Sequence, residues 1–108
     1  MMYSLKKTIS ISAAHHLSEP YAGPCSSPHG HNWRITVYCR SGTVNGAGMI
    51  VDFSEIKKII NQLDHTDINN IIPQPTAENI ARWVVEKVPC CYKADVEETE
   101  GSVATYEL

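Results

Sequence analysis

Cys25, His29 and His31 fall within seven residues of one another in the stretch CSSPHGHNW, residues 25–33. Thiols and imidazoles at this spacing bind metal or move protons. Two histidines with one residue between them share a face of a strand, because residues two apart point the same way. His29 and His31 have the parity of Trp33, Ile35 and Val37, while His15 has the parity of Ile9 and Ile11. All three rings therefore face the apolar side. If the two runs pair as neighbours, three neutral nitrogens converge, which is the ligand set of a catalytic zinc with its fourth position open. His16, of opposite parity, is assigned to the surface.

Cys25 has two readings. As a fourth zinc ligand it closes a structural site; as a free thiol in a Pro-rich loop beside a cation it has a lowered pKa and acts as base or nucleophile. Asp64 next to His65, in LDHTDIN, can orient an imidazole for general acid or base work, although a helix C-terminus also favours a histidine there. Glu98 places a carboxylate on the apolar face of its run, with Ala94, Val96 and Tyr92. A buried carboxylate needs donors, and a ligand with a guanidine-like N–H edge supplies them in pairs. The alternative is a frayed or bulged strand end that lets Glu98 reach water. Cys39 is read as strand core, and Cys90 and Cys91 receive no role.

These residues need elements to position them. Residues 3 to about 15 alternate with period two, as do Trp33, Ile35, Val37 and Cys39 against Asn32, Arg34, Thr36 and Arg40, so both runs are half-buried strands. In VDFSEIKKIINQLDH, Phe53, Ile56, Ile59, Ile60 and Leu63 have helical spacing, with Asp52 and Glu55 as a capping box. PTAENIARWVVEKV predicts a second helix, capped by Thr76, with Ala77, Ile80, Ala81, Val84 and Val88 on one face and Pro89 as its stop. YKADVEETEGSVATYEL predicts a hairpin around Glu100, Gly101 and Ser102. The order strand, strand, helix, helix, strand, strand predicts an α+β domain, an antiparallel four-stranded sheet with two helices on one face. Its open edges invite pairing between subunits.

The 108 residues fit a single domain over 1–108. With 43% hydrophobic and 19% charged residues, the composition is that of a soluble globular protein. No apolar run approaches a bilayer span, and the lysines near the N-terminus lead into no apolar signal region, so a cytoplasmic location is expected. There the four cysteines serve packing, metal binding or catalysis rather than a disulfide framework. A net charge of −3 leaves no basic footprint for nucleic acid.

Together, SAAHHL, CSSPHGHNW, GMIVDF, LDHTDIN, PTAEN and VEETEG, in register over nearly the whole chain, closely resemble the 6-pyruvoyltetrahydropterin and 6-carboxytetrahydropterin synthase family. The resemblance implies the tunnelling fold, in which the sheets of several subunits join edge to edge, as a trimer or a hexamer of two trimers. It implies zinc on His15, His29 and His31, with Cys25 as catalytic base, and Asp64 with His65 as the second proton-transfer group. By the same likeness Glu98 anchors the pterin's N–H edge, and Thr76 and Glu78 line the pterin pocket from a neighbouring subunit. The short spacing from Cys25 to His29 resembles the bacterial carboxytetrahydropterin synthases of the queuosine pathway. That branch converts 7,8-dihydroneopterin triphosphate to 6-carboxy-5,6,7,8-tetrahydropterin, releasing acetaldehyde and triphosphate. Rival readings are the pyruvoyl product and a zinc-stabilised pterin-binding module without catalysis. The loops after residue 40 are short for the family, and Ile11 stands where an aromatic residue is usual.

Overall fold

A computed structural model describes residues 1–18, 20 and 23–108. Four strands, β1 (Tyr3–His15), β2 (His29–Ser41), β3 (Cys91–Thr99) and β4 (Ser102–Glu107), form one antiparallel sheet in the order β1-β2-β3-β4. Helices α1 (Phe53–Ile60) and α2 (Ala77–Lys87) lie between β2 and β3 in the chain. This is the predicted α+β order. Among the described residues, no helix is long and apolar enough to cross a membrane.

Alternation in β1 and β2 settles which face is covered. The pairs Ile9 with Ile35 and Ile11 with Trp33 stand opposite one another in the register, and their side chains are buried. Ile56 and Ile60 of α1, then Leu63, and Ile80, Ala81, Val84 and Val85 of α2 close over them. Each aliphatic side chain so buried contributes about 1.5–3 kcal/mol. α2 packs across β3 and β4, and α1 lies against β1.

Thr76 caps α2 as expected, its Oγ1 accepting from the Asn79 N–H at 3.1 Å. The helix stops at Lys87 because Val88, ahead of Pro89, takes an extended conformation. At the start of α1 the capping box is not made. Asp52 Oδ1 accepts from both the N–H and the hydroxyl of Ser54, each at 2.8 Å, so Ser54 and not Glu55 completes the cap. α1 is also shorter than its apolar spacing predicts. It ends at Ile60, and Leu63 reaches the core from the turns that follow.

Two bulges change the reading of β3. Tyr38 pairs with Lys93 and Cys39 with Cys91, which leaves Tyr92 between them. The bulge gives the buried position to Cys91, while Tyr92, predicted on the apolar face, lies beside Tyr38 and under the guanidinium of Arg40 at 4.3 Å. The neighbouring Cys91 thiol and burial push the Cys39 thiol pKa up, while Cys91 donates its own S–H to the Lys93 carbonyl at 3.3 Å. The second bulge falls at Glu98, between the pairs Glu97–Val103 and Thr99–Ser102.

Candidate metal centre and proton-transfer groups

The β1/β2 register brings the histidines together. His15 stands directly opposite His29, and His31 opposite Ala13, at the same end of the ladder. Ring centroids are 4.5 Å apart for His15 and His29, 5.1 Å for His15 and His31, and 4.8 Å for His29 and His31. One ligand atom from each lies within 4.8 Å of the others, so the three can hold a metal ion. Trp33 forms the floor, its ring 4.8 Å from His15 and 5.2 Å from His31, with Nε1 donating to the Ala13 carbonyl at 3.1 Å.

Tautomers follow from the hydrogen bonds. A carbonyl only accepts, so His15 Nδ1 donates to Pro75 O and His29 Nδ1 to Ser27 O, both at 2.7 Å. Each Nε2 then carries a lone pair while the ring is neutral. His15 Nε2 and His31 Nε2 are buried with no hydrogen-bond partner. Burial lowers the His15 pKa, against the Pro75 carbonyl, which raises it. A neutral imidazole oriented through its other nitrogen is the state in which histidine binds metal.

Glu98 belongs to the same site. Its Oε1 lies 3.4 Å from His15 Nε2 and 3.8 Å from His31 Nε2. The bulge expected as an alternative is present, yet it aims the carboxylate at the histidines and leaves the side chain only 32% exposed. With His15 neutral, its Nε2 lone pair faces this carboxylate with nothing positive between them, an arrangement that a bound metal ion would resolve.

Cys25 sits half-buried in a short turn, Pro24–Ser26, whose carbonyl at Cys25 accepts from the Leu17 N–H at 2.8 Å. Its sulfur is not among the atoms of the histidine cluster, which comprises three imidazoles. Asp64 and His65 are paired, Oδ2 to Nδ1 at 3.0 Å. The Ser12 N–H donates to Asp64 Oδ1 at 2.8 Å and holds that carboxyl below the usual range. His65 has φ +55° and donates its own N–H to Ser12 O at 2.6 Å. Its side chain is 82% exposed, and among the described residues no hydrogen bond or ion pair joins this dyad to the histidine cluster.

The model of the family 6-pyruvoyl tetrahydropterin synthase matches residues 4–108. The chain belongs to this family. It is 36% identical to the 6-carboxy-5,6,7,8-tetrahydropterin synthase of Synechocystis sp., over 97% of this chain and 93% of that one. It is 29% identical to the protein of the same name from Bacillus subtilis, over 96% and 84%. The 6-pyruvoyl tetrahydropterin synthase structure from Caenorhabditis elegans superposes with a TM-score of 0.77 at 28% identity, covering 100% of this chain and 96% of that one.

A cleft of about 260 Å³ is lined by Glu98, Glu78, Ala77 and the start of β4. Glu78 and Glu98 line the same cleft of this chain, because α2 packs across β3 and β4. Thr76 spends its hydroxyl on the helix cap.

Three groups escaped the sequence reading: the Pro75 carbonyl and the side-chain amides of Asn69 and Gln74, all bonded to residues 15–18. A backbone acceptor has no residue-type signature, and its role depends on a contact across the fold. His16, assigned to the surface, is half-buried against Asn69.

Proposed function

We propose that the chain is a zinc-dependent 6-carboxy-5,6,7,8-tetrahydropterin synthase of queuosine or 7-deazaguanine biosynthesis, working in the cytoplasm on 7,8-dihydroneopterin triphosphate. The observation that carries this is the convergence of His15, His29 and His31, two of them with buried unpartnered Nε2 atoms, beside a carboxylate that also lines a cleft. Zinc held by these histidines supplies Lewis acidity toward the substrate's side-chain hydroxyls. Glu98 accepts from the 2-amino and ring N–H groups and fixes the ring, with Glu78 bordering the pocket and Thr76 capping the helix that carries it. Cys25, as thiolate, takes a side-chain proton, and His65, oriented by Asp64, moves a second. Water is taken up, and acetaldehyde and triphosphate leave.

Among the described residues, the Asp64–His65 dyad has no hydrogen bond or ion pair to His15, His29 or His31. We therefore assign it to a site completed by another copy, in a homo-oligomer of three or six. Sheet edges are the means: β4 is one edge, and β1 is the other, free from Tyr3 to Ser10 where residues 64–69 do not cover it.

Incubation with zinc and dihydroneopterin triphosphate, followed by mass spectrometry, tests the reading. Acetaldehyde with 6-carboxytetrahydropterin supports it. A product that keeps its three-carbon side chain transfers the assignment to the pyruvoyl activity, which the name of the Caenorhabditis elegans relative favours.

A further inference from the structure

The β1/β2 ladder ends at the pair His15–His29, yet residues 16–18 remain held on both sides as if within a sheet. On the outer side the Asn69 amide takes both backbone groups of His16: the His16 N–H donates to Oδ1 at 2.9 Å, and Nδ2 donates to His16 O at 3.0 Å. Two residues on, Gln74 repeats the pattern. The Ser18 N–H and hydroxyl donate to its Oε1 at 3.0 and 3.1 Å, and its Nε2 donates to Ser18 O at 3.3 Å. On the inner side the Leu17 N–H donates to Cys25 O.

This alternation is that of a strand between two neighbours. A carboxamide carries one acceptor and one donor group, as the backbone does, so two amides replace a missing strand. The series continues one that starts upstream. Ser12 and Ala14 give their outward N–H groups to Asp64 Oδ1 and Thr66 O. Past His15, side-chain amides alone form the outer row.

We propose that Asn69 and Gln74 are positioning residues for Cys25. They hold residues 16–18 extended, and that segment fixes the Cys25 turn through the Leu17 N–H, two residues past His15. Among the described residues this is the hydrogen bond that ties the backbone of Cys25 to the sheet. The inference rests on the reading of Cys25 as a proton-transfer group.

Asn69→Asp and Gln74→Glu test it at almost constant volume: each keeps the acceptor and turns the donor into an oxygen facing a carbonyl. Gln74→Ala, at the exposed end of the clamp, is the second variant should the charged ones fail to fold. In the zinc-loaded protein, metal content, kcat and KM for dihydroneopterin triphosphate, and the iodoacetamide alkylation rate at Cys25 by peptide mass spectrometry are measured. The variants keep their zinc. Alkylation of Cys25 becomes about fivefold faster, the size of effect one lost hydrogen bond produces. With KM little changed, kcat falls about tenfold or more, as expected when a reacting group is displaced slightly. Wild-type alkylation rates in the variants overturn the proposal, as does loss of zinc, which would mean that the amides serve His15 instead. If wild type shows no turnover but alkylation shifts as stated, the clamp stands and the catalytic reading of Cys25 falls.

Discussion

His15 Nδ1 donates to the carbonyl of Pro75 at 2.7 Å, across 60 residues of sequence. This one bond joins the end of β1 to the entry of α2. It selects the tautomer of a candidate metal ligand, and it ties the helix that carries Glu78 to the histidine cluster. Pro75 is fully buried, so the pairing is sheltered from water.

Metal binding is the first consequence. His15→Ala, His29→Ala and His31→Ala each lower zinc affinity by more than the about 10–100-fold that loss of an outer partner costs. Metal analysis after dialysis against a competing chelator reads this, and wild-type zinc content in all three variants would remove the site.

Cys25→Ala separates catalysis from binding. The variant keeps fold, zinc and pterin affinity, while kcat drops by about 10²–10⁴-fold, the usual contribution of a general base. Zinc loss in this variant would make the thiol a ligand after all.

Glu98→Gln keeps the shape and removes the charge that receives the pterin's N–H pair. Hydrogen bonds to a charged group are worth about 1.5–3 kcal/mol, so KM rises by about tenfold or more, with zinc retained. Unchanged KM together with lost zinc would move Glu98 from the pterin to the metal.

Acidity should unsettle the metal-free protein. Because burial lowers the His15 pKa from its usual 6.5, His15 binds a proton more readily in the unfolded chain than in the folded one. Its contribution to stability is then fully present above pH 6.5 and is lost as pH falls through the lowered folded value. Melting temperatures of the zinc-free protein followed from about pH 8 to about pH 5 should fall, and His15→Gln should flatten that slope. A rise in stability toward acid would mean that Glu98 and the Pro75 carbonyl outweigh burial and hold His15 protonated.

Much of this arrangement is legible along the chain, because strand parity is a local property. The alternation of β1 and β2 already puts His15, His29 and His31 on the core side, and α2 carries its cap and its stop in Thr76 and Pro89. Tyr92 and Glu98 show where that logic ends. A bulge adds one residue to one strand, so parity fails at Tyr92, and at Glu98 the direction of the carboxylate depends on the partner strand rather than on the sequence beside it.

Sequence alone therefore determined which side chains of β1 and β2 face inward and which segments become strand or helix, since both depend on periods of a few residues. Only the tertiary structure decided that a proline carbonyl orients a metal ligand, that two amides stand in for a strand beside Cys25, and that Glu78 meets Glu98 in one cleft. Those relations join groups far apart along the chain, and hydrogen bonds over such distances exist only once packing has brought their donors and acceptors within reach.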